Sequence, residues 1–236
     1  MVRIRGILAT LVIGVATALV IVALATLPFL NPVWVGFEQG RADAAAWTGY
    51  SETDLRTATD AILSDLVFGP PTFDVTVDGA PVLNERERAH MRDVRNVFVA
   101  FYLTAAIGAI VLVGAFALER TPDRRRRLWR RLGLIGRVIA VGTVALGLAG
   151  VMFFDTAFEL FHELFFPPGS YLFNPATDRL VQLFPEQFWV ETTIGVGIVI
   201  IVLSVGLAWW SGRRATSIAA AAEPDAGTIG ASASAR

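Results

Sequence analysis

The 236-residue chain has no cysteine and no lysine, only two histidines, and charged residues at just 17% of its positions. The missing cysteine excludes disulfide stapling, thiol chemistry and thiolate metal sites. All twenty basic residues are Arg, which reads as the base composition of a GC-rich genome rather than as mechanism. A formal net charge of −1 excludes a nucleic-acid binder that works by net charge. Hydrophobic residues instead make up 54% of the chain, and the mean hydropathy is +0.57, too apolar for a soluble domain or a disordered chain.

The apolar residues are concentrated in four stretches free of charge, Ile7–Leu30, Val97–Leu118, Val138–Phe154 and Thr192–Gly212, which are 24, 22, 17 and 21 residues long. A helix crosses the hydrocarbon layer in about 20 residues, so the sequence predicts four spans, the third of them short unless Arg137 snorkels. The first run exceeds a signal-peptide core, so Ala23-Leu24-Ala25 reads as part of an uncleaved anchor rather than a cleavage site. Between the runs, residues 119–137 carry eight Arg against two acids, whereas 31–96 holds six basic and eleven acidic residues and 155–191 one Arg and six acids. By the positive-inside rule both termini and the Arg-rich loop are cytoplasmic, and the two acidic segments face outward. The predicted organisation is therefore an N-terminal segment and span at 1–30, an extracytoplasmic domain at 31–96, and a span at 97–118. A cytoplasmic loop at 119–137 and a span at 138–154 follow, then an outer segment at 155–191, a span at 192–212 and a tail at 213–236. The Ala-, Ser- and Gly-rich tail from Ala215 reads as disordered. The expected fold class is an α-helical membrane protein: four transmembrane helices with a small mixed extracytoplasmic domain capping the bundle.

Within 31–96, Leu55, Ala58, Ile62 and Leu66 recur at helical spacing behind Ser51, and the pattern stops at Gly69-Pro70-Pro71. Phe73, Val75 and Val77 alternate with polar residues ahead of Asp78-Gly79, which predicts a short hairpin or extended arm. Asn84 with Glu87 three residues on predicts a helix cap, and nothing breaks the helix from there to Ile107. The third span is likewise predicted to continue through Asp155–Phe166 until Pro167-Pro168-Gly169. An aromatic loop at the membrane surface is expected beyond it, with turns at Asn174-Pro175 and Phe184-Pro185.

Both histidines fall in these helix extensions. His90 lies seven residues before Val97 and His162 eight after Phe154, so each stands roughly 10–12 Å above a span end, at the height of lipid glycerol esters. Either one alone reads as an interfacial His with a satisfied hydrogen bond; together they read as a proton-transfer pair. Glu87 and Asp93 flank His90 at three residues on either side, and Glu159 precedes His162 by three, so these carboxylates can fix the ring tautomers, while Glu87 reads equally as part of a solvated charge pattern with Arg86, Arg88 and Arg92. Phe158, Phe161, Phe165 and Phe166 would line an acyl-chain site or simply contact core and lipid. His162-Glu163 begins a zinc-protease helix, but Phe166 stands where the second His belongs, and a mixed His/carboxylate metal site is not expected. There is no glycine-rich phosphate loop and no nucleophile elbow. No cofactor is predicted.

Two segments resemble a known family. Glu87-Arg88-Ala89-His90-Met91-Arg92-Asp93-Val94 is similar to its E-x-x-H-M-x-D-V signature, and Phe161–Pro175 to its F-H-x-x-F-F-x-x-G-N-W-x-F-D-P run, continued by Asp178, Leu180 and Phe184-Pro185-Glu186. This is the four-span family that contains the bacterial lipoprotein intramolecular transacylase. The resemblance runs from about Ile7 to Trp210, with Ser170-Tyr171 and Asn174 where Asn-Trp and Asp are expected. It implies an enzyme that moves an acyl chain from the diacylglyceryl group of a lipoprotein's N-terminal cysteine to that residue's own α-amine, giving a lyso-form lipoprotein. It also maps the family's two essential histidines onto His90 and His162. The implied partners are a diacylglyceryl lipoprotein substrate and membrane lipid, with no nucleic acid. A lipid-ester hydrolase using the same His pair, and a non-catalytic scaffold that binds lipoproteins, remain as alternatives.

Overall fold

The computed structural model describes residues 2–222. Nine α-helices and one two-stranded hairpin make up the described part, and four of the helices are long and apolar enough to cross a membrane. These four are α1 (Val2–Thr26), α5 (Glu85–Leu118), α6 (Pro122–Met152) and α9 (Glu186–Ala222). We take their uncharged parts as the membrane-crossing lengths, so Glu85–Asn96 and Glu186–Glu191 are extensions beyond them. The chain divides into two compact units, one of residues 1–21, 105–142 and 201–236, the other of 22–104 and 143–200.

The first unit is built on small residues that let helices approach closely, the usual solution where lipid removes the hydrophobic drive between helices. A Cβ on Gly108 of α5 would stand 3.2 Å from the Ala16 carbonyl of α1, and one on Gly136 of α6 would stand 2.6 Å from the Ser204 carbonyl of α9. Leu128, Leu132 and Ile135 of α6 bury themselves with Ile13 of α1. The Arg-rich loop is thus mostly helix: Pro122 sits at the favoured first position and α6 starts there rather than at Val138. At the other end, α9 passes Gly212 and continues to Ala222. The expected disorder from Ala215 is therefore replaced by helix as far as Ala222, because an Ala-rich segment prolongs a helix readily once one is nucleated. Residues 223–236 lie outside the described part.

The second unit carries more structure than its sequence announces. After a 3-10 turn at Leu27–Phe29, Asn31 caps α2 (Pro32–Arg41) by accepting from the amides of Val33 and Trp34. Helix α3 (Ala44–Thr48) follows, and Ser51 caps α4 (Glu52–Val67) through the Asp54 amide. The expected hairpin forms as β1 (Thr76–Val77) against β2 (Ala80–Pro81), with Asp78 and Gly79 both at positive φ, the conformation a two-residue hairpin turn requires. Ile62, Phe73, Leu83 and Leu183 are almost wholly enclosed at the centre of the unit's core. Gln39 ties the layers together, donating to the Leu183 carbonyl at 3.1 Å and accepting from Thr59 at 2.9 Å. Arg41 holds Glu191 with two bonds of 2.5 and 3.0 Å, and burial together with the Glu191 carboxylate pushes Glu38 up to about 7.

The third long helix does not run on to Phe166 unbroken. Phe153, at φ −130° and ψ 44°, separates α6 from α7 (Phe154–Phe165). Nothing in the surrounding structure explains why the break falls there. A one-and-a-half-turn helix, α8 (Arg179–Leu183), occupies the middle of what reads as aromatic loop, with Leu180 and Leu183 turned into the core.

Candidate active site

Helix α5 begins at a capping box, as its sequence predicts. Glu87 donates its amide to Asn84 Oδ1 at 3.0 Å, and Asn84 returns its own amide to Glu87 Oε2 at 2.7 Å. The cap fixes the first turn of α5 and so sets where His90 projects, one turn further on. His162 projects from α7. The two rings meet inside the second unit, their centroids 6.0 Å apart and their planes 21° from parallel. Both are buried.

Aromatic rings enclose the pair. Phe166 lies 4.8 Å from the His90 ring and 5.3 Å from His162, and Phe158 lies 4.2 Å from His162. Phe161 meets His162 edge-on at 5.5 Å and Phe165 at 4.9 Å. Of the four expected lining residues, Phe158, Phe161 and Phe165 leave part of their surface exposed, whereas Phe166 is buried against both rings and acts as packing. Two close neighbours are not among the expected site residues: Phe173, 5.4 Å from His90, and Tyr171, 5.1 Å from His162. Their presence in an aromatic loop is visible in sequence, but their approach depends on how that loop closes. Asp178 closes it, accepting from the Asn174 amide at 2.7 Å, Asn84 at 3.2 Å and Arg86 at 2.9 Å. The Arg86 guanidinium lies 5.0 Å over Phe173.

The carboxylates do not do what helical spacing suggests. Glu87 shares a face with His90, but both its oxygens are committed elsewhere, one to the cap and one to the Leu180 amide at 2.6 Å. Burial, the largest influence, raises its pKa against the lowering effect of these two amides. Glu159 is exposed and makes no hydrogen bond to His162. Asp93 is only half-buried and reaches His90 through its charge alone, favouring the protonated ring without a hydrogen bond to it. A backbone carbonyl takes the predicted role instead: His162 Nδ1 stands 2.7 Å from the Phe158 carbonyl one turn earlier. A carbonyl only accepts, so the neutral ring carries its proton on Nδ1 and presents Nε2 as the free base. His90 Nδ1 is buried without a partner among the described residues.

Burial, and then the charge His162 can carry, lower the His90 pKa to about 4, with Asp93 opposing. An unfolded His titrates near 6.5, so from pH 6.5 down to about 4 the unfolded chain binds a proton that folded His90 refuses. The stability from this group is full above pH 6.5 and is lost as pH falls through that window. The difference is about 3 kcal/mol. Comparing wild type with His90→Gln in denaturant titrations at pH 7.5 and 4 should show the wild type losing about that much more; equal losses would mean that His90 is not held neutral.

A family model described as lipoprotein intramolecular transacylase Lit matches residues 10–189. A protein of Aquifex aeolicus (strain VF5), described only as uncharacterized, is 28% identical over 135 residues. That match takes in 55% of this chain and spans 59% of the relative's length. Among solved structures, the membrane-integral lipoprotein intramolecular transacylase Lit from Bacillus cereus superposes with a TM-score of 0.75 at 20% identity, over 89% of this chain and 95% of its own. A variant of that protein with one histidine replaced by arginine gives 0.75 over 93% and 97%, also at 20% identity. These similarities concern a multi-pass membrane fold, and the family match extends through both histidine segments. The chain belongs to the Lit family of lipoprotein intramolecular transacylases, a family of enzymes.

Proposed function

We propose that this chain transfers an acyl chain within a single lipoprotein molecule, from the glyceryl ester of its diacylglyceryl-cysteine to the α-amine of that cysteine. The second unit, with the His pair, faces outward by the Arg asymmetry, and both termini are cytoplasmic. The observation that carries the reading is the burial of two imidazoles 6.0 Å apart in an aromatic enclosure. Phe158, Phe161 and Phe165, partly open, would receive the migrating chain.

The chemistry follows from what each ring can do. An N-terminal amine titrates near 7.7–8.0, so little energy is needed to free it, and Nε2 of His162 is the lone pair available to accept its proton. The amine nitrogen bonds the ester carbon, the tetrahedral adduct collapses, and the carbon–oxygen bond to glycerol breaks. Glyceryl oxide is a poor leaving group, so the proton taken from nitrogen is delivered to it. The net result is one N–C bond formed, one C–O bond broken and one proton moved from nitrogen to oxygen. A charge on either ring opposes a charge on the other, so one proton beyond those of the two neutral rings is favoured over two, and one is the number the reaction carries. Burial makes His90 the ring that resists taking it.

Mass balance tests this. Purified protein and a diacylglyceryl lipopeptide, without phospholipid, nucleotide or added metal, should yield a product of unchanged total mass whose fragments show the acyl chain on the amine. A fall in mass by one fatty acid would establish a hydrolase, and a gain of one chain an intermolecular acyltransferase. A lipopeptide that stays unmodified while remaining bound would favour a scaffold.

A further inference from the structure

The first unit contains a cavity lined by none of the residues around the two histidines. It measures about 280 Å³ and is lined from α6 by Arg126, Trp129, Arg130, Gly133 and Arg137, and from α9 by Gly212, Ala215 and Thr216. Arg126, Arg130, Gly133 and Arg137 follow one another by four, three and four residues, which puts them on one face of α6. The opposite wall is small. A Cβ on Gly133 would meet Ser211 of α9 at 3.4 Å, whereas one on Gly212 would meet nothing within 4 Å. The helices therefore touch at one level and leave an opening beside it.

The arginines around this opening lack the carboxylate partners that several arginines of the second unit have. Arg41, Arg86, Arg88 and Arg92 of the second unit each grip a carboxylate. Arg126, Arg130 and Arg137 form no ion pair among the described residues, and Arg126 Nε is buried without a hydrogen-bond acceptor. A guanidinium atom shut away from water and left unbonded is costly, and an anion in the cavity relieves it. The depth of the site points to the source of that anion. Arg137 directly precedes the apolar run that begins at Val138, and Gly212 closes the run that begins at Thr192. Exposed Trp209 and Trp210, with Arg213 and Arg214 stacked on them at 4.9 and 4.7 Å, mark the same level as a water–hydrocarbon boundary. Headgroup phosphates lie there. The cavity has room for about nine waters' volume, more than a bare anion needs.

We propose that this cavity is a binding site for the phosphate headgroup of an anionic phospholipid in the adjoining leaflet. Basic pockets between spanning helices are suited to such headgroups. The occupant would be a structural lipid, separate from the lipoprotein substrate.

The test is native mass spectrometry of the full-length protein in detergent, with phosphatidylglycerol or phosphatidylcholine added. Wild type should retain one phosphatidylglycerol in preference to phosphatidylcholine. R126Q/R130Q/R137Q should bind it about a hundredfold more weakly. Gly212→Phe keeps every charge and fills the opening, and it should lose the lipid to a similar degree. R120Q/R124Q, which removes two arginines that do not line the cavity, should retain it. Thermal unfolding in the same detergent checks that each variant is folded. Equal retention by the triple variant would overturn the proposal. Retention by folded Gly212→Phe would overturn it too, since diffuse surface charge would then explain binding. Displacement of the lipid by millimolar inorganic phosphate would make the site one for free anions and overturn the assignment to lipid.

Discussion

His162→Gln should convert a diacylglyceryl lipopeptide about 10²–10⁴-fold more slowly than wild type while remaining folded and inserted. Gln can still donate a hydrogen bond to the Phe158 carbonyl, so the 2.7 Å contact that orients the side chain has a substitute. It cannot accept and release a proton. His90→Gln should also lose activity, but its pH dependence should tell the two roles apart. His90 is held neutral down to about pH 4, so a loss of rate on acidification that sets in above that value belongs to another group. His90→Gln should therefore lower the rate while leaving the shape of the profile above pH 4 unchanged. Time courses by mass spectrometry at several pH values measure both quantities. Full activity in either folded variant would remove the proton-transfer pair from the mechanism.

Glu87→Ala should destabilise the protein by about 2–4 kcal/mol, although the side chain touches neither histidine. Two amides lose their acceptor at once, Asn84 at the start of α5 and Leu180 at the start of α8. A buried N–H left unpaired costs about 1–3 kcal/mol, and a lost cap adds roughly 1 kcal/mol. The enclosure should also loosen, because the same carboxylate joins the helix that carries His90 to the segment that follows Phe173. Glu87→Gln keeps one oxygen acceptor and should lose about half as much. Reversible denaturant unfolding in detergent measures the difference; a loss under 0.5 kcal/mol for Glu87→Ala would mean that the carboxylate is not what ties these elements together.

The carboxylates show how far helical spacing carries an inference. Spacing of three residues places Glu87 and His90 on one face of α5, and the structure keeps them there. What spacing cannot supply is the competition for an acceptor. The Leu180 amide arrives from 93 positions along the chain and takes the oxygen that the ring would have used. The closing of the aromatic loop by Asp178 is partly of the same kind, since two of its three donors, Asn84 and Arg86, come from 94 and 92 positions away. Periodic and local features were legible because they are decided locally: the four apolar runs, the Asn84 cap, the Asp78-Gly79 turn and the helix behind Ser51. Helices α2 and α8 were not. Each is short, and each owes its place to a few residues, such as Val35 and Leu183, inserted into a core assembled from distant segments. The break at Phe153 has no Pro, and Gly150, one turn before it, sits in a run that otherwise reads as unbroken helix.

If the unit that holds the histidines faces outward, as proposed, it meets whatever acidity its surroundings impose. Glu38 keeps its proton to about pH 7, whereas a free Glu releases it near 4.5, so within that interval folding takes up a proton there and stability falls as pH rises. His90 does the opposite between about 4 and 6.5: folding expels a proton and stability rises with pH. The two intervals overlap for most of their width. Across the overlap one exchange offsets the other, and folding leaves the number of bound protons nearly unchanged as far as these two groups are concerned. These two buried, oppositely displaced titrations thus cancel much of each other's contribution to the pH dependence of the unit that holds the histidines.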